Sequence, residues 1–103
     1  MEVRELQARV DQWIQEHGGY WGKFEILARL TEELGEVAGA LQRQEGLRPR
    51  KVEVDLSGEL GDLLFVLASL ANVEGIDLEE ALSKTLAKYE GRDGAAWKAK
   101  TSP

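Results

Sequence analysis

The sequence has no cysteine, so a disulfide, a thiol nucleophile and a Cys-ligated zinc site are all excluded. It has only two prolines, Pro49 and Pro103, which leaves almost the whole chain free to be helical. A single histidine, His17, is present. No apolar run approaches the roughly 20 residues of a membrane span, and the charged start Met1-Glu2-Val3-Arg4-Glu5 does not resemble a signal peptide. The expectation is a soluble cytoplasmic protein without a membrane partner. Positive charge is also scarce: 13 Lys and Arg stand against 19 Asp and Glu, a net charge of -6. Duplex nucleic acid is held by phosphate neutralisation, so it is a poor partner for such a chain.

What is present is helical periodicity in 103 residues, enough for one domain. The first helix is expected from about Glu2, with Val3, Leu6, Val10, Trp13 and Ile14 on one stripe, to a stop at Gly18-Gly19. After the short link Tyr20-Trp21-Gly22, a second helix places Phe24, Leu27, Leu30, Leu34, Val37, Ala38 and Leu41 on one face, to about Gln44. The longest break carries Pro49, Arg48, Arg50 and Lys51. A third helix follows from about Leu56 to Glu74, capped by Asp55 or Ser57. A fourth is expected to about Glu90, opened by a capping-box pattern with Asp77 as N-cap and Glu80 three residues on. Short links between helices imply an all-α, antiparallel four-helix bundle. The domain is expected over residues 1–97, with 98–103 a loose tail. The third helix is apolar almost all round, so three neighbours cover it only in part. Self-association is the physical expectation, its order unread.

The carboxylates carry the chemistry. Glu59 falls on the stripe of Leu63, Val66 and Leu70, and Asp62 on the flank shared with Val66 and Val73. Glu33 borders the stripe of Leu30, Leu34 and Val37, with Glu36 further round and Glu32 outermost. Glu33/Glu36 and Glu59/Asp62 are i,i+3 pairs, each on one helix face. Singly, such acids are most often solvated charges or first-turn dipole partners. Two pairs next to an apolar face need compensation, by protonation, a cation or a metal. An all-oxygen set suits Mg2+ first and Mn2+ second, and such ions commonly bind substrate phosphates. Gly35 and Gly61, inside helices, suggest that something approaches the backbone there. Lys84, Lys88 and Arg92, spaced i, i+4, i+8, form a basic stripe that suits either a solvated face paired with Glu80 and Glu90 or a clamp for polyphosphate oxygens. Trp21, and Tyr20 beside it, are candidates to stack on a base, or to pack at the bundle end.

Glu32-Glu33-Leu-Gly-Glu36 followed by Glu59-Leu-Gly-Asp62 resembles the EExxE…ExxD signature of the all-α nucleoside triphosphate pyrophosphohydrolases, the MazG-like superfamily. The segment from Ala81 through Lys84, Lys88 and Arg92 to Asp93 is similar to that family's fourth-helix motif. Ala28 to Glu36, Gly61 to Leu67 and Leu70-Ala-Asn72 look most like its short single-domain branch. The resemblance extends to about Trp97. It implies hydrolysis between the α and β phosphates of nucleoside triphosphates, ribo- or deoxyribo-, in nucleotide-pool housecleaning. Glu33, Glu36, Glu59 and Asp62 match the family's Mg2+ ligands, and Glu32 matches an acid that orients or deprotonates water, with Glu36 counted with it as catalytic. Lys84, Lys88 and Arg92 would neutralise pyrophosphate, in a homodimer or homotetramer. Many MazG domains carry Asn at the position of Leu86, and other branches carry Asn at that of Lys88, which leaves the metal set intact. Phosphoribosyl-ATP pyrophosphohydrolase, or a non-catalytic helical module that senses nucleotides or binds partners, are the alternatives.

Overall fold

The computed structural model describes residues 1–49 and 53–94; the expected tail, Trp97, Arg50 and Lys51 lie outside the described residues. Four α-helices follow one another: α1 Val3–Glu16, α2 Lys23–Gln44, α3 Leu56–Val73 and α4 Leu78–Lys88. A π-helical turn, Tyr89–Asp93, continues α4. The described residues contain no strand.

Local chemistry accounts for where the helices begin and end. Gly18 and Gly19 follow α1 with φ of 107° and 93°, a conformation in which a side chain would be strained. Asp55 caps α3 by accepting from the Gly58 amide at 2.9 Å, and the ring closes tightly enough that a Cβ on Gly58 would collide with the Asp55 carboxylate. Asp77 caps α4, accepting from Glu79 and Glu80 amides at 2.9 and 3.2 Å. Glu80 carries its own carboxylate outward to Lys84, 2.9 Å away.

α3 is the central helix: it packs along α2 and against α1, and α4 rests on α1. Against the expectation from sequence, α3 is long and apolar enough to cross a membrane by length and composition; it also carries Glu59 and Asp62, and it packs on α2 and α1 along one side while Leu60, Leu64 and Leu67 stay exposed. Val10 and Ile14 of α1 and the fully buried Ala68 of α3 form the heart of the core, with Leu6, Tyr20, Phe65 and Leu78 around them. A hydrogen-bonded lattice seals this end. Gln7 donates to the Asn72 amide oxygen at 3.1 Å and to the Ile76 carbonyl at 2.8 Å, and accepts from the Leu78 amide at 2.8 Å. Asn72 donates to the Gln7 carbonyl and to the Tyr20 hydroxyl, which donates to Asp11. Burial first, and then the Asp11 bond, push the Tyr20 hydroxyl up to about 12, so it remains a donor.

The apolar stripe read along α2 is turned outward. Ile26, Glu33, Gly39 and Ala40 are the buried positions of α2, whereas Phe24, Leu27, Leu34 and Leu41 are exposed, as are Leu60, Leu64 and Leu67 of α3. Periodicity identifies a face that avoids water; it does not say whether the same chain covers it. The Cα radius of gyration, 16.8 Å, exceeds the roughly 13 Å of a compact domain of about 100 residues. Gly35 and Gly61 are open as well, with no atom within 4 Å of a Cβ built on either. Among the described residues of one chain, nothing approaches these two glycines, contrary to the expectation from sequence.

Candidate active site

Three of the four expected ligands meet where the first turns of α3 lie against the middle of α2. Glu33, Glu59 and Asp62 each offer a carboxylate oxygen, and these oxygens lie within 4.8 Å of one another. Glu33 is the most buried acid among the described residues, at 7% exposure, Glu59 is half-buried and Asp62 exposed. The helical repeat explains the meeting: i,i+3 spacing sets Glu59 and Asp62 on one face, directed at the α2 face that buries Glu33. Glu36 is exposed but close enough for its charge to act on Glu59. Partial removal from water, then the negative charges of Glu36, Asp62, Glu33 and Asp55, hold the Glu59 carboxyl above the usual carboxylate range. Glu32 is exposed on the outer side of α2.

Among the described residues, one ion pair to this cluster stands against its several carboxylates. The cation paired with the cluster is Arg29, whose Nε donates to Glu33 Oε1 at 2.9 Å. Oxygen donors on opposite sides of a Mg2+ ion lie about 4 Å apart, and Glu33, Glu59 and Asp62, with oxygens within 4.8 Å of one another, are the residues that would hold such an ion. An all-carboxylate donor set with mutual repulsion fits a hard divalent cation.

The basic stripe lies elsewhere. Lys84, Lys88 and Arg92 sit on α4 and its π-helical continuation, on the element that packs on α1 rather than beside the acids. Lys84 is paired with Glu80, and the Lys88 ammonium lies 5.3 Å from the centre of the Tyr89 ring.

Next to the acidic cluster a cleft of about 330 Å³ opens, lined by Trp13 and His17 of α1, Tyr20 and Trp21 of the link, Ile26 and Arg29 of α2, and Phe65 and Ser69 of α3 among others. Trp13 stacks on His17 with ring centres 4.0 Å apart and meets Phe65 edge-on at 5.5 Å. Trp21 is therefore at the cleft, and Tyr20 is tied into the hydrogen-bonded lattice behind it. Sequence reasoning did not single out Trp13, His17, Arg29, Phe65 and Ser69. The i,i+4 spacing of Trp13 with His17, and of Arg29 with Glu33, was the available signal, but the cleft draws on three helices and a loop.

Residues 23–97 match the MazG nucleotide pyrophosphohydrolase domain. YpjD of Bacillus subtilis (strain 168), an uncharacterized protein, is 41% identical over 99 residues, covering 92% of this chain and 89% of its own. The crystal structure of that protein superposes with a TM-score of 0.78 at 40% identity, covering 86% of this chain and 95% of the other. The Bacillus-conserved MazG protein, a nucleotide pyrophosphohydrolase, superposes with a TM-score of 0.77 at 35% identity, covering 90% and 94% of the two chains. The chain belongs to the MazG family and is a nucleotide pyrophosphohydrolase.

Proposed function

We propose that this enzyme hydrolyses nucleoside or deoxynucleoside triphosphates between the α and β phosphates, releasing monophosphate and pyrophosphate in a cation-dependent reaction that clears the cytoplasmic nucleotide pool. The convergence of Glu33, Glu59 and Asp62 within 4.8 Å carries this reading, with Glu36 as the fourth ligand. Mg2+ is the expected ion and Mn2+ its substitute; a bound ion supplies polarisation of phosphoryl oxygens and a lowered water pKa. Glu32, exposed beside the ligands, takes a proton from the attacking water. The water oxygen bonds to the α-phosphorus, and the bridging oxygen leaves with pyrophosphate. Lys84, Lys88 and Arg92 neutralise that leaving group. The aromatic cleft takes the base, with Trp21 as its stacking residue.

The enzyme works as a homodimer or homotetramer, an antiparallel helical bundle completed between copies. The exposed Leu27, Leu34 and Leu41 of α2 and Leu60, Leu64 and Leu67 of α3 support this, because apolar area on that scale is covered by a partner. A second copy would also be the means of bringing α4 cations to the acids.

Pyrophosphate release from a panel of NTPs and dNTPs and from phosphoribosyl-ATP, with Mg2+, Mn2+ or EDTA, tests the reading. Release that stops in EDTA and falls about a hundredfold or more in Glu36→Gln and Asp62→Asn is the expected outcome. Release from phosphoribosyl-ATP alone would assign the alternative substrate. No metal-dependent release from any nucleotide by the folded protein would refute the assignment.

A further inference from the structure

Arg29 stands at the junction of two features that the proposed reaction must connect. Its Nε holds the buried Glu33 carboxylate at 2.9 Å, and its side chain, 49% exposed, lines the aromatic cleft. Among the described residues lining the cleft it is the only permanent charge. A carboxylate as buried as Glu33 needs a positive partner, and among the described residues Arg29 supplies it. A divalent cation among Glu33, Glu59 and Asp62 would compete for that same carboxylate, and two cations on one acid repel.

We propose, on the reading that these carboxylates hold a divalent cation, that Arg29 couples cation binding to nucleotide binding. It neutralises Glu33 while the cation is absent and turns its guanidinium into the cleft, onto substrate phosphate, when the cation takes Glu33 over. The planar fork of donors suits a phosphate as well as it suits a carboxylate. The cluster's negative charge would otherwise repel a triphosphate, so the exchange gives an order: cation first, nucleotide second. Arg29 is absent from both acidic motifs, and its role follows from position rather than from pattern.

The exchange predicts effects of opposite sign from one substitution. Mn2+ binding is read by the loss of the free-ion paramagnetic resonance signal, without nucleotide. Arg29→Gln removes the competitor for Glu33 and should bind Mn2+ about threefold to tenfold tighter than the wild type. With Mn2+ saturating, binding of a triphosphate whose α–β bridge is a methylene group should weaken by roughly tenfold or more. Arg29→Lys keeps the charge without the fork and should restore wild-type Mn2+ affinity while recovering nucleotide binding only in part. Circular dichroism and the thermal midpoint check that the variants are folded. Wild-type protein that binds no Mn2+ would remove the metal centre, and this coupling with it. Wild-type binding with an unchanged or weaker Mn2+ affinity in Arg29→Gln would overturn the coupling alone, because a residue that merely positions Glu33 cannot tighten the site when lost. Unchanged nucleotide binding in that variant would overturn it as well.

Discussion

The two ends of α3 are built on opposite principles. At its C-terminal end, Ala68 and Ala71 are buried, and Asn72 joins Gln7, Tyr20 and Asp11 in a lattice where the donors and acceptors are matched. At its N-terminal end, Glu59 and Asp62 face Glu33 with Glu36 nearby, and Arg29 is the cation paired to that group. One end is satisfied by the chain; the other collects like charges beside a half-buried surface. An end that collects like charges is costly when left to itself and is consistent with binding a divalent cation. The matched end also holds Tyr20, which lines the cleft together with Phe65, Val66 and Ser69 of α3.

The sharpest way to break the satisfied end is Gln7→Leu. It strips the Gln7 side-chain partner from the Ile76 carbonyl, the Asn72 side-chain oxygen and the Leu78 amide, the last being an amide of the first turn of α4. Part-buried groups left unpaired in this way cost about 2–4 kcal/mol together, a fall of roughly 10–25 °C in the thermal midpoint of a domain this size. Tyr20→Phe removes the link between Asn72 and Asp11 and should cost about 1 kcal/mol, again read by thermal unfolding. Neither should change the number of cations bound per chain.

The ends also titrate in opposite directions. Arg4, first by hydrogen bond, and the backbone amides of Glu80 and Glu79 hold the Asp77 carboxyl below its ordinary value. Its contribution is present above the unfolded-state value, near 3.8, and is lost as pH falls through the folded one. Glu59 is raised above its ordinary value of 4.5, so in metal-free protein its contribution is present below that value and is lost as pH rises through the folded one. Thermal midpoints in EDTA across pH 3 to 7, roughly, test this: Glu59→Gln should gain on the wild type as pH rises, and Asp77→Asn, which keeps a capping side chain, should lose on it. These are the smallest effects expected, because both groups lie close to solvent.

Much of this contrast could be read from residue order, because its causes are local. For α3, Asp55 was one of two candidate caps beside Ser57; the bounds of α2, the cap at Asp77 and the glycine stop after α1 depend on side chains a few positions apart and were expected. So was the meeting of Glu33 with Glu59 and Asp62, since i,i+3 spacing on two helices leaves few other ways to direct the acids. What escaped depends on packing across elements. The Trp13–His17–Phe65 wall joins α1 to α3, the π-helical end of α4 has no compositional mark, and the outward turn of Leu27, Leu34 and Leu41 depends on what covers them. Arg29 was overlooked because its significance lies in the cleft on one side and Glu33 on the other.

The most direct measurement is the thermal midpoint of wild type and Glu59→Gln as Mg2+ is titrated in and then removed with EDTA. A cation that completes the acidic end of α3 adds about 2.7 kcal/mol at a hundredfold excess over its Kd, a rise of roughly 10–20 °C. The wild type should show that rise and lose it in EDTA. Glu59→Gln, folded and no less stable than wild type without metal, should show little of it. A wild-type midpoint indifferent to Mg2+, or an equal rise in the variant, would contradict a cation site at Glu33, Glu59 and Asp62.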